Sequence, residues 1–421
     1  MAARKYYPRL CEKILKRQLA ASGAVLVEGA KWCGKTSMAA HAAHSVLYMQ
    51  DPDRATAYQR LADTEPTRLL VGDAPRLIDE WQVAPVLWDA VRFEVDRRGE
   101  LGQFILTGSA TPKDGAVMHT GTGRIARLLL RPMSLFEAEE SDGSVSLAAL
   151  FDGNLEVFGE SRLTVAELAH LICRGGWPEA VVHNDTSYQM AENYADAVIH
   201  MDVNTVDNVE RNPKRVELLL RSYARNVSTL SSLKTIQGDV QANDPSFSEG
   251  SLYSYVNALR RIFVIEDIPA WQPSLRSRTA IRTSDKRQFV DPSIATAVLH
   301  ATPDSILDDF ETFGFLFESL AVRDMRVYAQ QNGGSVFHYR DKNGLEADMI
   351  VRLRDGRWGA VEVKLGHSQI DEAAKHLQTL AAKVNEEREG KPAFLMVLTG
   401  GQFAYRRKDG VLVVPIGCLR D

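Results

Sequence analysis

Cysteine is sparse in this chain, and Cys11, Cys33, Cys173 and Cys418 share no paired spacing. That excludes a disulfide framework and a cysteine zinc site, and it fits a reducing cytosol. Long apolar runs are missing as well. Nowhere do about 18 uncharged apolar residues follow one another, so no membrane span is expected. The opening MAARKYYPRL lacks the apolar core of a signal peptide, which points to a cytoplasmic protein without a membrane partner. Nor is positive charge in excess: 50 Lys and Arg against 55 Asp and Glu leave a net −5. A polycationic coat for nucleic acid is thereby excluded, while local basic patches are not. With 16 prolines in 421 residues and 45% hydrophobic side chains, no disordered tail stands out. The length predicts several globular units rather than one.

Against that ordinary background, GAKWCGKTS interrupts an apolar run. The preceding AVLVE reads as a buried strand and the following TSMAAHAAHSVL as a helix, so a glycine-bearing loop joins strand to helix. Residues 29–36 fit G-x-x-x-x-G-K-[ST]. In that pattern glycines let backbone N–H groups wrap phosphates, and the helix start adds positive potential. Gly29, Ala30, Lys31, Trp32, Cys33, Gly34, Lys35, Thr36 and Ser37 are therefore the expected nucleotide contacts. Lys35 would reach the β- and γ-phosphates of ATP, and Thr36 would ligate Mg²⁺.

Such a loop requires an acid at the end of a neighbouring strand. RLIDEW supplies Asp79 as a metal ligand and Glu80 as the residue that orients or activates the attacking water. The strand GQFILTGSA ends in Thr107 and Ser109, expected as γ-phosphate sensors, since ligands of parallel sheets collect at strand C-termini. A helix-capping role competes for both. Beyond them, Arg124 follows a glycine–threonine turn and is the candidate arginine finger for a neighbouring subunit, against the alternative of an ion-paired surface arginine. A finger acting between subunits implies a homo-oligomer, either a ring or a dimer.

These motifs, together with YYPRL, MSLFE and GGWPEA, make the chain resemble a prokaryotic family of AAA+-like P-loop ATPases that carry a C-terminal restriction-endonuclease-like domain of uncharacterised function. The resemblance spans nearly the whole chain. It implies an α/β architecture: a P-loop ATPase core with a parallel sheet (residues 1–130), a helical lid (131–205), a winged-helix-like region (206–300) and a restriction-endonuclease-like α/β domain (301–421).

The middle of the chain agrees with that order. LTVAELAHLICR and YADAVIHMDV have helical periodicity, and VELLLRSYARNV, SSLKTIQGDV and SLYSYVNALRR follow in helix-turn-helix order. In a DNA-binding version the last of these would be the recognition helix, with Arg260 and Arg261 at its end. Next, Arg276, Arg278, Arg282, Lys286 and Arg287 crowd an expected hairpin and suggest phosphate contact, with a solvated strand face as the alternative.

A second constellation closes the chain. FGFLFESLAVRDMRVYA reads as an amphipathic helix bearing Glu318. Asp348 lies in the strand LEADMIVRL, and Glu362 and Lys364 lie in the strand RWGAVEVKLG, 14 residues on from Asp348 (362 − 348). Side chains at i and i+2 of a strand share a face. The set is similar to the D…(D/E)-x-K pattern of restriction-endonuclease-like nucleases. Glu318, Asp348 and Glu362 would hold Mg²⁺, and Lys364 would stabilise charge or position water. The favoured expectation is a Mg²⁺-dependent ATP hydrolase that binds and remodels DNA, branched DNA included. The alternatives are an ATP-switched nuclease effector in defence or stress, and an ATPase with a non-catalytic nuclease-fold docking module.

Overall fold

The apolar segment before the glycine loop forms β1 (Ala24–Glu28). Its side chains alternate between two cores. Ala24 and Leu26 pack with Ile78, Phe104 and Leu106, whereas Val25 and Val27 pack with Leu77, Ile105 and Leu128. This is how a strand covered on both faces distributes its residues. In the computed structural model, which describes residues 5–109, 121–205, 207, 209–272, 284–384 and 389–421, β1 is flanked by the strands that carry the other motifs. These are β2 (Ser45–Tyr48), β3 (Arg76–Asp79), β4 (Phe104–Gly108) and β5 (Ile125–Leu129). All pair in parallel, in the order β2-β3-β4-β1-β5. The chain leaves β1 toward β2 on one side and leaves β4 toward β5 on the other. Their C-terminal ends therefore open at the switch point where α/β sheets collect ligands.

The chain forms two compact units. One comprises residues 1–132, 201–210 and 257–264; the other comprises 133–200, 211–256 and 265–421. Residues 133–200, expected within a helical lid, thus belong to the second unit.

The remaining strands lie in the second unit: β6 (Val145–Ser146), β7 (Gly159–Glu160), β8 (Gly334–Arg340), β9 (Glu346–Leu353), β10 (Trp358–Lys364), β11 (Leu395–Thr399), β12 (Phe403–Arg406), β13 (Leu412–Pro415) and β14 (Leu419–Arg420). Seven of them form one sheet in the order β7-β12-β13-β11-β10-β9-β8. The β8-β9-β10 meander is antiparallel, and β10 pairs with β11 in parallel. That crossover needs a helix, here Ile370–Lys383, whose Ile370, Ala373, Ala374, Leu377 and Leu380 bury against Trp358, Ala360, Val397 and Val413. The spacing is that of one apolar helix face.

The helix Phe310–Gln331 departs from its amphipathic reading. From Leu316 to Ala329 its side chains are buried, charged ones included. Arg323 is held by Asp291 at 3.1 Å and by Asp324 at 2.7 Å, so the charges are neutralised internally. Earlier in this unit the helices Pro213–Arg225 and Leu233–Gln241 are capped by Asn212 and Ser232; the helix Glu249–Arg261 follows in sequence, its residues from 257 on belonging to the first unit. Antiparallel bridges Ile265↔Phe289 and Ile268↔Lys286 come next. Arg276, Arg278 and Arg282 lie outside the described residues. Lys286 and Arg287 are a correction to the basic-patch expectation: they are 6% and 3% exposed and turned inward, Arg287 onto Asp267 at 2.6 Å. All four cysteines are buried, and none is joined in a disulfide. Among the described residues no helix is long and apolar enough to cross a membrane.

Candidate functional site

The phosphate loop leaves β1 and enters the helix Lys35–Ala42. Two glycines are dictated by geometry. Gly29 has φ 151°, and a Cβ there would lie 2.1 Å from the Leu130 carbonyl oxygen; Gly34 has φ 97° at the helix N-cap. Gly34 offers no side chain to cap the first turn, which leaves those N–H groups for an anion. Lys35 is buried, and its Nζ donates to the carbonyls of Gly29 at 3.0 Å and Ala30 at 2.7 Å. Ala30 and Cys33 are buried, Trp32 is 52% exposed, and Ser37 follows in the first helical turn.

Strand order brings the rest together. β4 lies between β1 and β3, so its end stands between the loop and Asp79. Thr36 Oγ1 and Thr107 Oγ1 both donate to Asp79 Oδ1, at 2.7 and 2.6 Å. Thr107 Oγ1 also accepts from the Glu80 N–H at 3.1 Å, which fixes the hydroxyl rotor. Glu80 is left-handed at φ 55°, a conformation a non-glycine residue adopts only when its surroundings enforce it. Its Oε2 accepts from Gln82 Nε2, and from Ser109 Oγ at 3.4 Å. Lys35, Thr36, Asp79, Glu80, Thr107 and Ser109 therefore converge. A threonine hydroxyl and a carboxylate oxygen 2.7 Å apart are hard oxygen donors of the kind Mg²⁺ takes.

Arg124 does not join them. It precedes β5, and its carbonyl accepts from the N–H of Ala24 at the start of β1. A five-residue strand, about 16 Å at about 3.3 Å per residue, separates it from its own phosphate loop. Its side chain pairs with Asp96 at 2.9 Å.

Sequence reasoning missed three supports. Arg9 donates to the Cys33 carbonyl and to the Arg131 carbonyl, each at 2.8 Å, stapling the loop to the segment that follows β5. Asp202 pairs with Lys31 of the loop across 171 residues of chain. Gln82 braces Glu80. YYPRL and the residues after Asp79 were visible as motifs, but nothing in the sequence marks Asp202.

In the second unit, Glu318, Asp348, Glu362 and Lys364 are brought together, with Lys286 added. Extending the Val361↔Met349 pairing by one step sets Glu362 opposite Asp348, a like-charge pair that needs compensation. Lys286 Nζ lies 2.5 Å from Glu318 and 3.0 Å from Asp348; Lys364 Nζ lies 2.9 Å from Glu362 and 3.8 Å from Asp348. The Val363 N–H donates to the second Asp348 oxygen at 2.9 Å. Burial alone would raise the Asp348 carboxyl, but Lys286 and Lys364 hold it well below the usual range. Burial and the charge on Asp348 push Glu318 up to about 8, and they also push Glu362 well above the usual range. Burial opposes the charge on Lys286, yet Asp348 and Glu318 more than reverse this. Thus the three acids expected as one metal-ligand set each contact a lysine. Among the described residues no group of three or more His, Cys, Asp or Glu could hold a metal ion. The cluster borders an open cleft of about 470 Å³, lined also by Arg340 and Glu346, which pair with each other at 2.8 Å.

Residues 21–139 match the AAA domain family, residues 165–305 a domain of unknown function (DUF8612), and residues 313–419 another domain of unknown function (DUF4143). No curated protein matches the chain. Among solved structures, the Walker-type ATPase PABY2304 of Pyrococcus abyssi is similar at 14% identity and TM-score 0.43, over 70% of this chain and 96% of that one. A structure of Drosophila ORC bound to DNA is similar at 11% identity and TM-score 0.19, over 69% and 85%. Both likenesses are too distant to bear on the site. The loop motif, the parallel sheet and the family match agree on an AAA-type P-loop ATPase domain in the first unit.

Proposed function

We propose that the chain is a Mg²⁺-dependent ATP hydrolase that acts on DNA. One observation carries the hydrolase: Thr36, Asp79, Thr107 and Glu80 are wired into one hydrogen-bonded set at the mouth of the phosphate loop. With nucleotide bound, the loop N–H groups and Lys35 hold the phosphates, and Thr36 and Asp79 hold Mg²⁺. The metal's chemistry is neutralisation of charge on the transferring phosphoryl group. Glu80 is positioned to orient water, with Gln82 and Ser109 setting its carboxylate. Thr107, bonded to the Asp79 carboxylate and to the Glu80 N–H, reports on the phosphate.

Arg124 lies at the sheet end away from its own phosphate loop, so as a finger it serves a nucleotide held by another copy. That reading requires a homo-oligomer. DNA engagement rests on Arg260 and Arg261 at the end of the helix Glu249–Arg261, on the basic run Arg276, Arg278 and Arg282, and on the family resemblance. A winged-helix-like middle and a restriction-endonuclease-like end are part of this reading, supported by three helices before antiparallel bridges and by an α-β-β-β-α-β order from 310 to 399. The lysine-bridged acids favour the non-catalytic docking module over a DNA-cutting domain. The test is phosphate release measured without DNA and with single-stranded, duplex and branched DNA, beside Lys35→Ala as control. Stimulation by one DNA form is expected. Equal rates throughout would remove DNA from the reading, and hydrolysis surviving Lys35→Ala would remove the hydrolase.

A further inference from the structure

The acids at the C-terminal site have the identities expected of metal ligands, but the space between them is taken. Lys286 is anchored by its backbone, which exchanges hydrogen bonds with Ile268 at 2.9 Å in both directions. From there its side chain, 7% exposed, ends between Glu318 and Asp348. Those acids come from a helix and a strand that meet only in the folded unit. A divalent ion shared by them would have to stand where the ammonium stands. Both Asp348 oxygens are engaged, one by Lys286 and the other by the Val363 N–H, and the Glu362 carboxyl is engaged by Lys364. A second cation beside Lys286 would meet like charge at short range in a poorly solvated place. Expelling Lys286 would leave its buried ammonium without acceptors.

We propose that Lys286 is a built-in counter-ion occupying the divalent-metal position, so that the Glu318–Asp348–Glu362 cluster takes up neither Mg²⁺ nor Mn²⁺ and does not cleave DNA. This deepens the docking-module reading of the second unit and is independent of ATP hydrolysis in the first. It also explains why a D…E-x-K pattern can persist without a ligand set: the pattern is completed by a lysine 62 residues upstream of Asp348.

The test is Mn²⁺ titration of the full chain, by calorimetry and by loss of the free-ion paramagnetic resonance signal. All samples carry Asp79→Asn so that the P-loop contributes no site. With Lys286 intact, uptake is expected to be the same with and without Asp348→Asn. Lys286→Met, which keeps the stem and removes the charge, is expected to gain a stoichiometric Mn²⁺ site that Asp348→Asn abolishes. Asp348-dependent uptake in the Lys286-intact chain would overturn the proposal, as would no uptake by a folded Lys286→Met chain. If Lys286→Met unfolds without metal, the Lys286-intact pair decides alone. Phosphate release from Lys286→Met with Asp79 intact is read in parallel, so failure of the hydrolase reading shows separately.

Discussion

Lys35 and Lys286 are both buried lysines that end on oxygen atoms, yet they are held in different ways. Lys35 rests on two neutral carbonyls of its own loop, whereas Lys286 rests on two carboxylic acids from separate elements. A phosphate can draw Lys35 away because the carbonyls it leaves carry no net charge. Lys286 cannot leave without stranding buried charge, and stranded buried charge is far more costly than a lost neutral hydrogen bond. The first lysine is poised for a ligand, and the second replaces one.

The largest effect expected from this contrast is on turnover. Lys35→Ala should cut ATP hydrolysis by more than about 1000-fold, since charge stabilisation at the transferring phosphoryl group dominates such reactions. Its melting temperature should fall by less than that of Lys286→Met, because the bonds lost go to neutral carbonyls rather than to buried charges. Phosphate release and a circular-dichroism melt on one preparation check both halves. Arg124→Ala should follow, with a fall of about 1000-fold if the arginine serves a neighbouring copy. Mixing it with Lys35→Ala should restore part of the rate, because a Lys35→Ala subunit still donates Arg124. Without recovery on mixing, Arg124 is only the surface partner of Asp96.

Lys286→Met sharpens the comparison from the other side. Removing one member of a buried ionic cluster costs about 3–5 kcal/mol, so the melt of the second unit should fall sharply while basal ATP hydrolysis persists. A Lys286→Met melt indistinguishable from wild type would mean the ammonium is not clamped as described.

The two sites also differ in how far the sequence reveals them. The phosphate loop is local: a strand, two glycines, a lysine and a threonine in succession identify it, and the β2-β3-β4-β1-β5 order then delivers Asp79 and Thr107. Glu318, Asp348, Glu362 and Lys364 were likewise legible as a pattern and do meet. What could not be read was Lys286. It sits among arginines in a segment that looks like a solvated basic run, and only the Ile268↔Lys286 bridge turns it inward. Asp202 escaped for the same reason: partners 171 residues apart leave no periodic trace. The helix Phe310–Gln331 was placed correctly as an element but misjudged as amphipathic, because the pairing of Arg323 with Asp291 and Asp324 is invisible to periodicity.

Glu318 links the second site to pH. Burial first, and Asp348 next, raise it from 4.5 to about 8. Between those values the folded chain keeps a proton that the unfolded chain has released, so stability falls as pH rises, by up to about 1.4 kcal/mol per unit, and levels off above about 8. Glu318→Gln should lessen the fall in melting temperature across pH 5 to 8, leaving the share that Glu362 contributes. A slope unchanged in that variant would mean Glu318 titrates normally.

The smallest expected effect concerns an ionic contact of the phosphate loop. Lys31 pairs with Asp202, but the Lys31 side chain is 44% exposed, so solvent screens the pair and its contribution stays below about 1 kcal/mol. If loop lysines are held exchangeably, a phosphate chain should compete with Asp202 for Lys31. Asp202→Asn then removes both the competitor and a negative charge beside an anion site. The KM for ATP should fall by about two- to fivefold with kcat little changed, and the difference should shrink at high salt, where exposed charges are screened. A KM that rises instead, with no response to salt, would show that Asp202 braces the loop as firmly as Glu318 and Asp348 brace Lys286, and the distinction between a poised lysine and a fixed one would no longer separate the two sites.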